Sequence, residues 1–140
     1  MLDVVGEAVM ALQEETTTYS QNVQLWMRLM GASFLISIFF VRSKIAARWI
    51  LAAFLSNVLG LVIGKMTFPD ESRTVIGTYV HILFWPAILW VVWLSSASLS
   101  FSREANSRFD WIFIVWLGWA SLLMFISLVF DFRTLIYMWV

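Results

Sequence analysis

Five side chains able to carry charge or strong hydrogen bonds stand in or at the ends of long apolar runs: Arg28, Asn57, Lys65, His81 and Asp131. A charge in hydrocarbon is costly, so each is a functional candidate by default. Arg28 lies about one turn into its run and His81 roughly two turns into another, while Lys65 and Asp131 close theirs. An Asp131–Arg28 ion pair or an Asp131–His81 hydrogen bond would neutralise charge that low dielectric otherwise penalises. Two arrangements satisfy these residues. Arg28 and Lys65 can snorkel to headgroups with Asp131 at the surface, or the group can form a polar cluster that binds a ligand, a lipid headgroup or a partner. Asn57 needs a partner as well, either a neighbouring helix or the lumen of a polar path.

His81 shares a helical face with Gly77, Thr78 and Trp85 at spacings of three and four. An imidazole in that setting can ligate haem iron or a chlorophyll-type magnesium, with any second histidine supplied by another chain. The ordinary alternative is a hydrogen-bonded core or interfacial histidine. Other chemistry is poorly provided for. The chain has no cysteine and one histidine, which removes thiolate metal sites, disulfides and any two-imidazole site. It has no glycine-rich phosphate loop and no Gly-x-Ser-x-Gly elbow. The expectation is a protein that is not an enzyme, holds no metal and needs no cofactor. A formal net charge of +0 gives no field to attract nucleic acid.

The elements that must position these residues follow from composition. Of 140 residues, 61% are hydrophobic and 13% charged, and the mean hydropathy is +0.85. Soluble domains run at about 45–50% apolar and about 25% charged, so a soluble domain is excluded in favour of an integral membrane protein. Apolar runs at about 25–41, 45–66, 75–101 and 111–130 approach the roughly 20 residues that a helix needs to cross a bilayer. Their continuity, without alternation of period two, selects helices over a barrel. Short polar links make consecutive helices antiparallel, which predicts a single all-α membrane domain built as an antiparallel four-helix bundle.

The ends lie outside these runs. Residues 2–15 carry Leu2, Val5, Val9 and Leu12 at helical spacing with Asp3, Glu7 and Glu14 between them, an acidic amphipathic helix. Its apolar stripe should pack on protein, either its own bundle or a partner. Residues 132–140 should either prolong the last helix or lie in the interface as an aromatic anchor. Basic residues Arg42, Lys44, Arg48, Arg103 and Arg108 flank the first and third links. Positive-inside counting then places both links in the cytoplasm and both termini outside, with a bacterial inner membrane as the expected location.

The second run repeats small residues every four positions: Ala52, Ser56, Gly60 and Gly64. Such a stripe lets another helix approach closely, within the bundle or from a second subunit. Asn57, Gly60 and Gly64 together resemble the N-x-x-G-x-x-x-G stretch in the second helix of the small four-helix fluoride channels, and Arg28 with Gly31 loosely resembles their first-helix arginine. The likeness covers about ten residues and implies a channel. Residues 77–93, however, lack the phenylalanine, threonine and serine box that holds the ion in that family. Trp85-Pro86 predicts a kinked third helix. Trp85 and the deep indoles Trp90, Trp93, Trp116 and Trp119 offer contacts to protein, pigment or lipid. These features predict a non-catalytic accessory subunit of a larger membrane assembly, in contact with other subunits or copies of itself. The alternatives are a homo-oligomeric channel or transporter using Asn57, Arg28, His81 and Asp131, and a haem or pigment carrier using His81.

Overall fold

The computed structural model describes residues 2–94 and 108–139, and every described element is helical. They are α1 (Leu2–Thr18), α2 (Gln21–Leu35), a single 3₁₀ turn (Ile36–Phe39), α3 (Ile45–Thr67), α4 (Arg73–Leu94) and α5 (Arg108–Trp139). Three of them, α3, α4 and α5, are long and apolar enough to cross a membrane. The expected span over 25–41 is not one α-helix: α2 stops at Leu35 and tightens into the 3₁₀ turn. A spread of apolar residues does not reveal that change, because both helix types tolerate them.

The second expected span coincides with α3. The third begins two residues earlier than expected, and its stretch beyond Leu94 lies outside the described residues, as do Arg103, Asn106 and Ser107. Pro86 does not interrupt α4, whose helical assignment is continuous across it. The tail after Phe130 prolongs α5 to Trp139, taking the first of the two expected forms.

In the packing, α3 and α5 each contact α2 and α4, while α1 lies against α3 and α4. The largest core cluster joins Phe34 of α2, Ile50 and Ala53 of α3, Trp85 of α4, and Phe113, Leu123 and Met124 of α5. Phe34 meets Trp85 edge-on, with ring centroids 5.6 Å apart. Gly60 and Gly64 serve the α3–α4 contact inside this chain. A Cβ on Gly60 would meet Val80 Cγ2 at 2.6 Å, and one on Gly64 would collide with Ile76.

The amphipathic helix packs on the chain itself. Ala8 and Leu12 are buried, Leu12 in a second cluster with Leu61, Ile76 and Val80. Val9, expected in the buried stripe, is 44% exposed, because the inward face runs through Ala8, Leu12 and Glu15. Thr16, Thr17 and Thr18 donate their hydroxyls to carbonyls three or four residues back, and the helix ends there.

Candidate functional site

Glu15 continues the inward face of α1 beyond Leu12 and reaches the junction of α3 and α4. Its carboxylate accepts hydrogen bonds from Lys65 Nζ and from the backbone N–H of Arg73. That N–H belongs to the first residue of α4, so a side chain from α1 satisfies one of the donors that every helix start leaves open. Lys65 is buried rather than snorkelling, and its ammonium also donates to Glu71 O at 2.9 Å. Arg73 NH1 donates to Leu12 O at 3.1 Å and to the Thr16 hydroxyl. Burial of Glu15 works against its charge. The bonds from Lys65 and Arg73 outweigh that cost and hold its carboxyl below the ordinary value.

A second polar group lies deeper, between α3, α4 and α5. His81 Nδ1 is 2.8 Å from Asp131 Oδ2, and His81 Nε2 is 3.1 Å from Asn57 Oδ1. Thr78, one turn before His81 and itself buried, donates its hydroxyl to Asp131 Oδ1 at 3.1 Å. The His81 and Asp131 side chains are only 13% and 15% exposed. Both ring nitrogens therefore face oxygens. With Asp131 ionised, Nδ1–H donates to it, and the Nε2 contact can be completed in two ways. Either the ring carries a second proton, or the Asn57 amide turns over and offers Nδ2–H. Asn57, His81, Asp131 and Thr78 thus form one continuous line of hydrogen-bonding groups across three helices. Trp85 stacks on the imidazole at a centroid separation of 3.8 Å and fixes the ring plane.

This chain of groups edges a cavity of ≈ 680 Å³ bounded by α2, α3, α4 and α5. Its remaining wall is largely apolar and aromatic, with Trp26, Phe34, Phe54 and Phe130 among the lining residues. Ser127 accepts the Trp26 indole N–H at 3.3 Å and is held against Met30 Sδ at 3.0 Å. An apolar chamber with a few convergent polar groups is the usual form of a small-molecule site.

Of the expected polar residues, the structure joins Asn57, His81 and Asp131 and leaves two elsewhere. Lys65 belongs to the Glu15 junction. Arg28 lines a different pocket, and no described residue forms a hydrogen bond or ion pair with it. Axial metal ligation through His81 Nε2 would require the Asn57 contact to be given up. The described residues contain no group of three His, Cys, Asp or Glu placed to hold a metal ion.

The tryptophans divide. Trp85 and Trp116 are buried in the chain's own core. Trp116 Nε1 donates to Ser33 O at 2.8 Å, Trp119 Nε1 to Ser33 Oγ at 3.1 Å and Trp93 Nε1 to Ser121 Oγ at 2.9 Å. Trp90 faces outward. Ser56, from the small-residue stripe, turns its hydroxyl back to Ala53 O at 2.9 Å, and Ala52 is half-buried.

Sequence reasoning passed over Glu15, Arg73 and the role of Thr78. Glu15 was legible as the residue seven after Ala8 and three after Leu12, which places it on the buried face of α1. Compared with known protein families, curated proteins and solved structures, the chain matches none.

Proposed function

We propose that the chain is a small multi-pass integral membrane protein, of the channel or transporter class, that passes protons along Asn57, His81 and Asp131. One observation carries this reading: both nitrogens of the single histidine are held by residues of two other helices at the edge of a largely apolar cavity. Ionisable groups placed this way are the usual parts of a proton relay.

Membrane placement is supported by the outer surface. At most half of the most apolar stretch of α3, α4 or α5 is buried within the chain: 28%, 39% and 50% respectively. The rest needs an apolar surrounding. In this reading α2 and its 3₁₀ turn form the fourth crossing, with a combined reach of roughly 30 Å at 1.5 and 2.0 Å per residue. That makes a four-helix antiparallel arrangement with α1 at one mouth. Positive-inside counting favours both termini outside a bacterial inner membrane.

The test is proton flux in liposomes containing the purified protein and a pH-sensitive dye, with potassium and valinomycin holding the potential at zero. The wild type should dissipate an imposed pH step faster than empty liposomes. His81→Ala and Asn57→Leu should each slow it about tenfold or more while eluting at the wild-type size. A wild type no faster than empty liposomes, or variants as fast as wild type, would refute the reading.

Trp90, 65% exposed on α4, supports a second reading, a non-catalytic accessory subunit seated against other subunits or copies of itself. Co-purification of a larger membrane protein at fixed stoichiometry in mild detergent would favour it; a solitary chain would count against it.

A further inference from the structure

A second pocket, of ≈ 520 Å³, lies between α1, α2 and α3; it adjoins the first cavity through Val58, Leu61 and Arg73, but none of Asn57, Thr78, His81 or Asp131 lines it. Two arginines line it, Arg28 from α2 and Arg73 from the start of α4, and no carboxylate does. Of the two acidic residues between Gln13 and Thr16, which line the pocket from α1, Glu15 is committed to Lys65 and the Arg73 backbone N–H, and Glu14 is exposed and does not line the pocket. Besides Gln13, three uncharged polar side chains line the pocket, and each is bonded within the chain. Thr16 and Thr17 donate to carbonyls of their own helix, and Gln24 donates to Tyr19 O at 2.9 Å.

Free donors therefore remain on the guanidinium groups. Arg73 uses NH1 for Leu12 O and Thr16, which leaves Nε–H and NH2 available. Arg28 has all five donors without a partner among the described residues. The wall from α3 is apolar, formed by Val58, Leu61 and Val62. Two guanidiniums above an aliphatic wall match a phosphate joined to an acyl chain, because guanidinium pairs with phosphate oxygens through forked hydrogen bonds.

We propose that this pocket binds the phosphate of an anionic phospholipid, with Arg28 and Arg73 on the headgroup and the acyl chain along α3. The site rests on the bilayer placement and not on proton passage at His81. Its level fits. The pocket is bounded by α1, the first half of α2 and the start of α4, at the end of the molecule that carries the partly exposed Glu15 and the link between α3 and α4. Diffuse attraction does not account for such binding. The chain has no net charge, and Asp3, Glu7 and Glu14 lie exposed on α1.

The experiment is native mass spectrometry of the full chain in neutral detergent, titrated separately with dioleoyl phosphatidylglycerol, dioleoyl phosphatidylcholine and inorganic phosphate. One retained phosphatidylglycerol is expected, bound about tenfold more tightly than phosphatidylcholine. Arg28→Gln should weaken it by about tenfold, and Arg28→Lys by less. His81→Ala should leave retention unchanged, which separates this result from the fate of the proton reading. Equal binding of the two lipids, or wild-type retention in Arg28→Gln, would overturn the proposal. Binding of inorganic phosphate as tight as that of phosphatidylglycerol would also overturn it, in favour of a soluble anion.

Discussion

His81 is the chain's single histidine, so ¹⁵N-histidine labelling gives signals from one ring and reports the polar chain directly. Asn57→Leu removes the partner of Nε2 but leaves Nδ1 bound to Asp131. The Nε2 resonance should move strongly and that of Nδ1 little, at a stability cost of about 0.6 kcal/mol, typical of an interhelical hydrogen bond in a membrane. Equal movement of both signals would show that the ring is not held between these two residues. Asn57, His81 and Asp131 were each visible in the sequence as isolated polar residues in apolar runs. The Asp131–His81 hydrogen bond was one of the two pairings expected for Asp131, but the choice between them and the contact with Asn57 were not legible, because the residues lie 24 and 50 residues apart and no local periodicity encodes which helix faces which. Arg28 shows the converse: depth in a run is readable, whereas its facing toward α1 and α3, away from Asp131, is a product of packing.

Among the elements, α3 and α4 are held together by the absence of side chains at Gly60 and Gly64. Gly60→Leu should force Val80 outward and destabilise the fold by about 1–3 kcal/mol, the usual range for overpacking. A denaturation midpoint measured in detergent would check it, and an unchanged midpoint would mean that the two helices do not meet there. The docking of α1 should depend on pH. Glu15 has a folded-state value below its ordinary 4.5, so its stabilisation is full above that value and fades as pH falls through the lower, folded one. Protection of the α1 amides, measured as exchange relative to the intrinsic rate at each pH, should therefore fall as the pH is taken below 4.5, and Glu15→Gln should abolish that dependence. Hydropathy revealed α3, α4 and α5 because length and apolarity alone define them. It did not reveal the 3₁₀ turn after Leu35, where Ser37 is buried and the chain must reach Phe40 in the core. That change is set by tertiary fit and leaves no compositional trace.

Over the whole molecule, the helix order places the α1 end and the link between α3 and α4 on one side, with the Arg42–Lys44 link on the other. The chain contains no cysteine, so single-cysteine variants report sidedness without background. Glu14→Cys and Phe68→Cys in intact cells should react with a membrane-impermeant maleimide, and Ser43→Cys only after permeabilisation. The reverse pattern would invert the orientation, and labelling of all three in intact cells would refute the crossing by α2. That long apolar helices dominate the described residues was plain from composition. Which surfaces face the molecule's own core was not, as Trp116 and Trp119 demonstrate by donating to Ser33 within the same chain.

The Glu15 junction also sets an order of events during synthesis. The amphipathic helix leaves the ribosome before its seat does: Lys65 and Arg73 follow Glu15 by 50 and 58 residues. Until the α3–α4 hairpin has been made, α1 has no seat, and its half-apolar face stays open to chaperones and proteases. Docking of α1 is thus a late event in biogenesis, and a stalled or truncated chain ending before residue 73 would be marked by an undocked α1.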